Sequence, residues 1–549
     1  VIKKEALKNL LTPIYLKQPF QLKNFYLWLT LSLFLILRLI WSAYFPMAND
    51  EVYYWDWSRH IQLSYIDAPP FVSWISYLGG LLFQGSFGAR FFLPFLHLFS
   101  SIFILLSSKT IAEINQKNFT NENALCALIL FQLAPVFNLE GIILLPDASL
   151  LFAISGALYF ILKAFLISNK NQTSLSIKYG FFFGIFLGIA ALSKYHALPI
   201  AVGFFLASLI LRGVRNSFHD FSFWFVTAIA AVVVSSPVFI WNYLNNYASF
   251  HFQSQHGFSG FSFHYKPFLK YIFGTIFYLL PWFFIPLFYF SIKGILKKSY
   301  YKSINLLTTI PFLILFTIIL SSALGKQALP HWTMPGFLLL IPSFVLIWNP
   351  LTGKNRSTWI RLFKVTLFLS VVIPSILCFP KFNLLLIKGY TFVKGNADDL
   401  FQAYAWIDLQ KQLLNQENIE IKSAPYYETI ESQNCTNQYQ IASLKWYWAA
   451  QLAFHFENKP RVYNFDFVNT SFYSWRDKLY DLANCKFIII GSRDHYNKND
   501  ILKIMNIEET KEFNISPYNG ENIIFIRGTM KDKFTLKEIY DNKIKEVKY

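Results

Sequence analysis

Charge is what this sequence has least of. Asp, Glu, Lys and Arg together make up only 15% of the 549 residues, against roughly a quarter in an average soluble domain, and that shortage excludes an ordinary cytosolic enzyme. Acids are scarcer still, 31 against 49 bases. Four cysteines fall in no CxxC pattern, and no HExxH occurs, so no recognisable metal-ligand spacing is present. A Gly-rich nucleotide loop is missing as well. What fills the chain instead is 54% hydrophobic residues, 60 of them Phe, at a mean hydropathy of +0.36. That is the composition of a polytopic membrane protein, and it excludes disorder and coiled coil.

A net charge of +18 would suggest a nucleic-acid partner if the bases formed one solvated patch. They do not. Residues 1–381 hold roughly 28 Lys and Arg against 10 acids, and the tail from 382 holds about 21 of each. The surplus therefore belongs to the apolar part, and no nucleic-acid partner is expected.

Eleven spans are expected, at about 25–44, 90–110, 124–142, 148–167, 179–193, 197–211, 221–241, 268–290, 303–323, 333–349 and 362–380. With the N-terminus cytoplasmic, alternate loops carry roughly 20 bases inside and 6 outside, as the positive-inside rule requires. An odd number of spans then puts the tail outside. The first span reads as a retained signal anchor, since Arg38 lies within it and no small-residue cleavage site follows. Asp50, Glu51, Asp56, Asp67, Glu140 and Asp147 fall on the outer side. Chemistry is expected there.

The first outer loop, about 45–89, is long enough to be functional. It opens with Asn49-Asp50-Glu51-Val52 and an aromatic run through Trp57, then Arg59. Adjacent carboxylates beside aromatics suit a general base with a platform for a sugar ring; an interfacial aromatic belt accounts for the same residues equally well. Asp67-Ala68-Pro69-Pro70 marks a turn, and Pro146-Asp147-Ala148 puts a carboxylate at a span mouth, where an N-cap is the plainer reading. Lys194 with His196, and Lys326 with His331, place a base and an imidazole at span ends. Either pair could hold a phosphate, although interfacial lysines more often snorkel. Asn242 to Gln253 adds amides among aromatics, able to contact a sugar or simply to anchor the chain.

Together these motifs resemble the GT-C glycosyltransferases, in particular the dolichyl-phosphate-mannose protein mannosyltransferase group and its bacterial members, including the lipid A aminoarabinose transferases. Asn49-Asp50-Glu51-Val52, Asp67-Ala68-Pro69-Pro70, Pro146-Asp147-Ala148, Leu192-Ser193-Lys194-Tyr195 and Trp241 through Gln253 carry the likeness. It implies a mainly α, polytopic GT-C fold with about eleven transmembrane helices in residues 1–381, which form the catalytic domain. It also implies an inverting transfer of a monosaccharide from a polyprenyl-phosphate donor to an outer-face acceptor, lipid A or another lipopolysaccharide-type glycolipid first, a secreted protein second. Asp50 is then the base, Glu51 its neighbour and Asp147 the second functional carboxylate. Asp67, Arg59, Lys194, His196, Asn242, Gln253, Lys326 and His331 are the substrate-binding candidates. Many relatives carry His or Lys where this chain has Ala68, which leaves Lys194, Lys326 or Arg59 for the donor phosphate. A divalent cation is compatible, but no ligand set marks one. The implied location is the bacterial inner membrane with the tail periplasmic; nothing in the sequence bears on oligomeric state.

The tail, 382–549, reads as a small extracytoplasmic α/β domain, with helices at 403–414 and 439–454 and buried strands at 487–490 and 522–526. Trp446, Tyr447, Trp448 and Trp475 suit its core better than an acceptor site. Cys435 and Cys485 lie where a bridge is chemically permitted. A lipid or glycan flippase is the alternative of another class, but it should show midplane polar groups and repeated halves. A glycan ligase or polymerase should carry its long loop late in the chain, not first.

Overall fold

The computed structural model describes residues 19–21, 24–168, 173–211, 221–257, 264–296, 301–325, 328–348, 356–379, 406, 435, 439–456, 460–466, 471–514 and 522–548. Helix α1 (Phe25–Tyr44) forms from an apolar run without proline or glycine. Asn24 caps it by accepting the Tyr26 N–H at 3.0 Å, and it stops at Phe45, which Pro46 pushes into extended backbone. The first outer loop folds into α2 (Asn49–Ser58), α3 (Phe71–Leu82) and α4 (Gly85–Arg90). Helix α3 leaves Leu78, Leu81 and Leu82 exposed, as an interfacial helix would.

Next come α5 (Leu93–Ile114), α6 (Asn121–Leu133), α7 (Pro135–Glu140), α8 (Pro146–Ser168), α9 (Thr173–Ser193), α10 (Ala197–Leu211) and α11 (Phe221–Leu244). They are followed by α12 (Ala248–Gly257), α13 (Tyr265–Leu279), α14 (Pro281–Leu296), α15 (Tyr301–Gly325), α16 (Met334–Phe344), α17 (Arg356–Leu367), a π-helical turn at Phe368–Val372 and α18 (Ile373–Leu377). Every expected span meets a helix, but not always an unbroken one. Among the described residues seven helices are long and apolar enough to cross a membrane, fewer than the eleven expected, and a pair bent by 100° makes eight if it is counted as one span. That pair is α13 and α14, expected as one span at 268–290. The chain turns at Leu280, φ 70°, just before Pro281. The span expected at 124–142 breaks likewise, at Ala134 before Pro135.

Alternate connections gather at opposite ends of the bundle. At one end the His264 N–H meets the Leu324 carbonyl at 3.0 Å and Trp241 donates to Gln62. At the other, the Phe20 N–H meets Phe119 O at 2.8 Å and Asn123 donates to Val345 O. Helices approach closely where side chains are absent: a Cβ on Gly156 would lie 2.2 Å from the Phe186 ring, and one on Gly203 2.3 Å from Pro311.

The tail contributes β1 (Gln440–Ser443), α19 (Trp446–His455), β2 (Val462–Asn464), α20 (Phe472–Arg476), β3 (Lys486–Ser492), α21 (Lys498–Ile504), β4 (Met505–Asn514), β5 (Asn522–Met530) and α22 (Lys533–Lys548). Its five-stranded sheet runs β2-β1-β3-β5-β4, with β1 parallel to β2 and β3 and the rest antiparallel. The helix expected at 439–454 thus begins as a strand, because Ile441 and Ala442 pair with Ile488 and Ile489. The helix expected at 403–414, Trp406 apart, and the boundary near 381 lie outside the described residues. Cys435 and Cys485 are bridged.

One apolar core joins the tail to the first outer loop: Tyr53, Trp57 and Tyr65 pack with Trp448, Phe472 and Ile488. Charges lock the same joint. Arg476 contacts Asp477 at 2.6 Å and Asp56 at 3.5 Å, while Arg59 contacts Asp56 at 3.1 Å and the Pro460 carbonyl at 3.3 Å.

Candidate active site

The Asp50-Glu51 pair lies in the first turn of α2, and the helix sends the two carboxylates in different directions. Asp50 is exposed. Glu51 is 1% exposed and enclosed by donors: Arg90 reaches it twice, Nε at 2.7 Å and Nη2 at 2.5 Å. The Ala48 N–H adds a bond at 3.0 Å and the Leu144 N–H one at 2.7 Å. No lone pair is left to take a substrate proton. The expectation that both carboxylates face substrate is corrected for Glu51. It fastens the start of α2 to the connection that leads into Asp147.

Asp147, at the start of α8, binds Lys194 through both oxygens at 2.8 Å each. The carboxylate is 3% exposed and the lysine 15%. His196 and His331 act on the same carboxylate, and the His196 ring lies 5.6 Å from that of Trp332. Burial, with Lys194 adding repulsion, lowers His331 to about 4 and His196 to about 3. Both imidazoles are therefore neutral hydrogen-bonding groups at neutral pH, not phosphate-binding cations.

Tyr54 connects the parts. It stands four residues after Asp50, on the same helix face, and its phenol is held well above its ordinary value by burial and then by Asp50, Asp67 and Asp147. The charges of three carboxylates thus act on one phenol. Sequence reasoning passed over Tyr54, although the four-residue offset in an acidic helix was a readable signal. It also missed Arg90, whose role appears only once Glu51 is placed against it.

The other expected residues divide. Asp67 accepts a short hydrogen bond from Tyr53, whose oxygen in turn accepts the Phe472 N–H at 2.8 Å. Burial raises Asp67 to about 7. Gln253 donates to the Asp67 carbonyl at 2.6 Å, so it sets the backbone of this loop. Asn242 is wholly buried and serves its own helix end, donating to Val238 O at 2.9 Å and accepting the Phe250 N–H at 3.3 Å. Its expected sugar contact is corrected to a structural one. Arg59 is tied to Asp56 and the Pro460 carbonyl, with its guanidinium 5.0 Å from the Trp55 ring centre, which places it at the tail joint. Lys326 lies outside the described residues. Among the described residues no three His, Cys, Asp or Glu side chains gather to hold a metal.

Comparison with known proteins bears on the fold and on one segment of the chain. The family described as dolichyl-phosphate-mannose-protein mannosyltransferase matches residues 67–241. A lipid A galacturonosyltransferase, RgtD of Rhizobium johnstonii, is 24% identical over 197 residues, which is 35% of this chain and 38% of that relative's length. The crystal structure of ArnT from Cupriavidus metallidurans bound to undecaprenyl phosphate superimposes with a TM-score of 0.60 at 14% identity, covering 91% of this chain and 98% of that one. Its apo state gives 0.57 at 13% identity, covering 91% and 97%. At such identities the solved structures speak for the fold alone. With the helical bundle and the small tail sheet in agreement, the chain is a multi-pass membrane protein that shares the fold of ArnT, and its residues 67–241 are similar to the dolichyl-phosphate-mannose-protein mannosyltransferase family.

Proposed function

We propose that the protein transfers a monosaccharide from a polyprenyl-phosphate carrier to a glycolipid of the lipid A type at the outer face of the bacterial inner membrane. In this reading the N-terminus is cytoplasmic and the tail periplasmic. The observation that carries it is the buried Asp147–Lys194 pair, bonded through both oxygens at 2.8 Å, next to the core that Tyr54, Ala148 and the tail share. Lys194 is the cation for the donor phosphate, standing in for the basic residue absent at Ala68, and Asp147 holds it in place. The leaving group is a phosphate, so charge stabilisation matters more than protonation. Asp50 removes the proton of the acceptor hydroxyl as the new bond forms on the opposite face of the sugar, which inverts the anomeric centre. Tyr54 orients the carboxylates, and Glu51 with Arg90 keeps the Asp147 connection in register. Support comes from the fold shared with ArnT, solved with undecaprenyl phosphate, and from the lipid A relative.

A protein acceptor is the second reading, favoured by the family matched over residues 67–241. A flippase has no comparable support, because the site's charges cluster at one end of the bundle. Asp50→Asn in membranes is expected to lower transfer from labelled donor by about 10²–10⁴-fold, the usual contribution of a general base, with expression and thermal unfolding unchanged. Normal transfer by this variant would refute the assignment. Mass spectrometry of lipid A and of surface proteins from a deletion strain separates the two acceptors.

A further inference from the structure

Asp50 is exposed, but the residues on either side of it are buried and held from distant parts of the chain. Glu51 is fastened by Arg90 and by the Leu144 N–H. Asn49 is held from the tail. Gln451, wholly buried in α19, donates through Nε2 to Asn49 Oδ1 at 3.0 Å and to the Met47 carbonyl at 3.3 Å. A main-chain carbonyl can only accept, so this neighbour fixes which end of the Gln451 amide is the nitrogen. Both of its hydrogens go to the segment that leads into α2. The other end of the amide, Oε1, is buried with no hydrogen-bond partner among the described residues. An incompletely satisfied buried amide costs stability that an apolar side chain of the same size would not. Packing alone therefore does not account for a glutamine here; its bond across 402 residues does. The two helices also meet through Tyr53 and Trp446, with ring centres 4.7 Å apart, and through Trp55 and Phe454 at 4.9 Å.

We infer that Gln451 is a positioning residue: through Asn49 the tail holds the first turn of α2 and so aims the Asp50 carboxylate at the acceptor hydroxyl. The inference rests on the reading of Asp50 as the base. With Asn49 and Glu51 both pinned, the backbone of Asp50 is fixed between two anchors, and only its own side-chain rotamers remain to be ordered by substrate. The first turn of a helix otherwise frays readily. A misplacement of about 1 Å at a reacting group can cost about 10²-fold in rate. The tail thus contributes to the reaction without supplying a group that touches substrate.

The test uses the full chain as wild type, Gln451→Met, Asp50→Asn and the double variant. Each is returned at equal expression to a deletion strain, whose membranes hold the native donor and acceptor, and the initial rate of product formation is read by mass spectrometry well below the unfolding transition. Binding of bare undecaprenyl phosphate is measured in nanodiscs. Gln451→Met is expected to lower the rate by about 10- to 10²-fold, to leave carrier binding within about twofold, and to shift unfolding by no more than about 5 °C. The double variant should be no slower than Asp50→Asn alone, within about twofold, because a base that is absent cannot be misaimed. An unchanged rate in Gln451→Met would overturn the inference. So would losses that multiply in the double variant, or carrier binding that weakens in step with the rate, since Gln451 would then only hold the fold together. If Gln451→Met does not fold, Asn49→Ser removes the same bond from its other end, and the same pattern is expected of it. Normal transfer by Asp50→Asn would refute the base assignment and the inference with it, whereas a full rate in Gln451→Met beside an inactive Asp50→Asn overturns the inference alone.

Discussion

Two buried ion pairs flank the connection from Gly141 to Leu145, and they are built differently. Glu51–Arg90 is closed: two contacts from Arg90, two further backbone donors and exposures of 1% and 0%. Asp147–Lys194 is open. The lysine meets both carboxylate oxygens and retains 15% exposure. A planar guanidinium satisfies a carboxylate through a fixed fork, whereas an ammonium is a point charge on a flexible stem that can shift to a second anion. The same pairing of opposite charges therefore makes a closed fastener in one place and leaves a partly open cation in the other.

Two substitutions bear on that contrast. Lys194→Met should have the largest effect on activity, lowering transfer by about 10²-fold or more and weakening undecaprenyl phosphate binding, with a smaller loss of stability than Arg90→Leu because this pair keeps contact with solvent. A loss of stability without a loss of carrier binding would make this pair a fastener too. Arg90→Leu should do the reverse. Stranding Glu51 is expected to destabilise the fold by about 3–5 kcal/mol, the cost of removing one partner of a buried pair, read as a lowered unfolding temperature in nanodiscs.

Asp67 gives the smallest effect. Its carboxyl titrates near 7 in the folded protein and at an ordinary 3.8 when unfolded. The folded state therefore binds more protons between those values, and stability falls as pH rises through that window, then levels off above about 7. Compared with Asp67→Asn, the wild-type unfolding temperature should drop between about pH 5 and pH 7 and run parallel above it. Parallel curves throughout would show that Asp67 stays ionised beside Tyr53.

Much of the site was legible before any coordinates. Asp50, Asp147, Lys194, His196 and His331 stand out because ionisable groups at span ends are rare in so apolar a chain, and each marks its own position. What sequence could not reveal was pairing. Asn242 looked like a sugar ligand, yet its amide closes the end of α11, because polar side chains that enter a bundle must satisfy backbone first. Arg59 looked like a phosphate ligand and instead fastens the tail through Asp56. Gln451 carried no signal at all, since its bond to Asn49 spans 402 residues.

By itself the sequence determined that the chain is a membrane protein, where its apolar helices lie and to which end its acids belong. Those follow from the cost of placing charge and unpaired backbone in hydrocarbon, which acts locally along the chain. Only the tertiary structure decided that α13 and α14 bend by 100°, that the tail shares a core with the first outer loop, and that Glu51 is closed while Asp147 stays open. Those outcomes depend on which residues meet across long sequence separations, such as Glu51 with Arg90 and Leu144, and Asp147 with Lys194. No local pattern encodes such meetings.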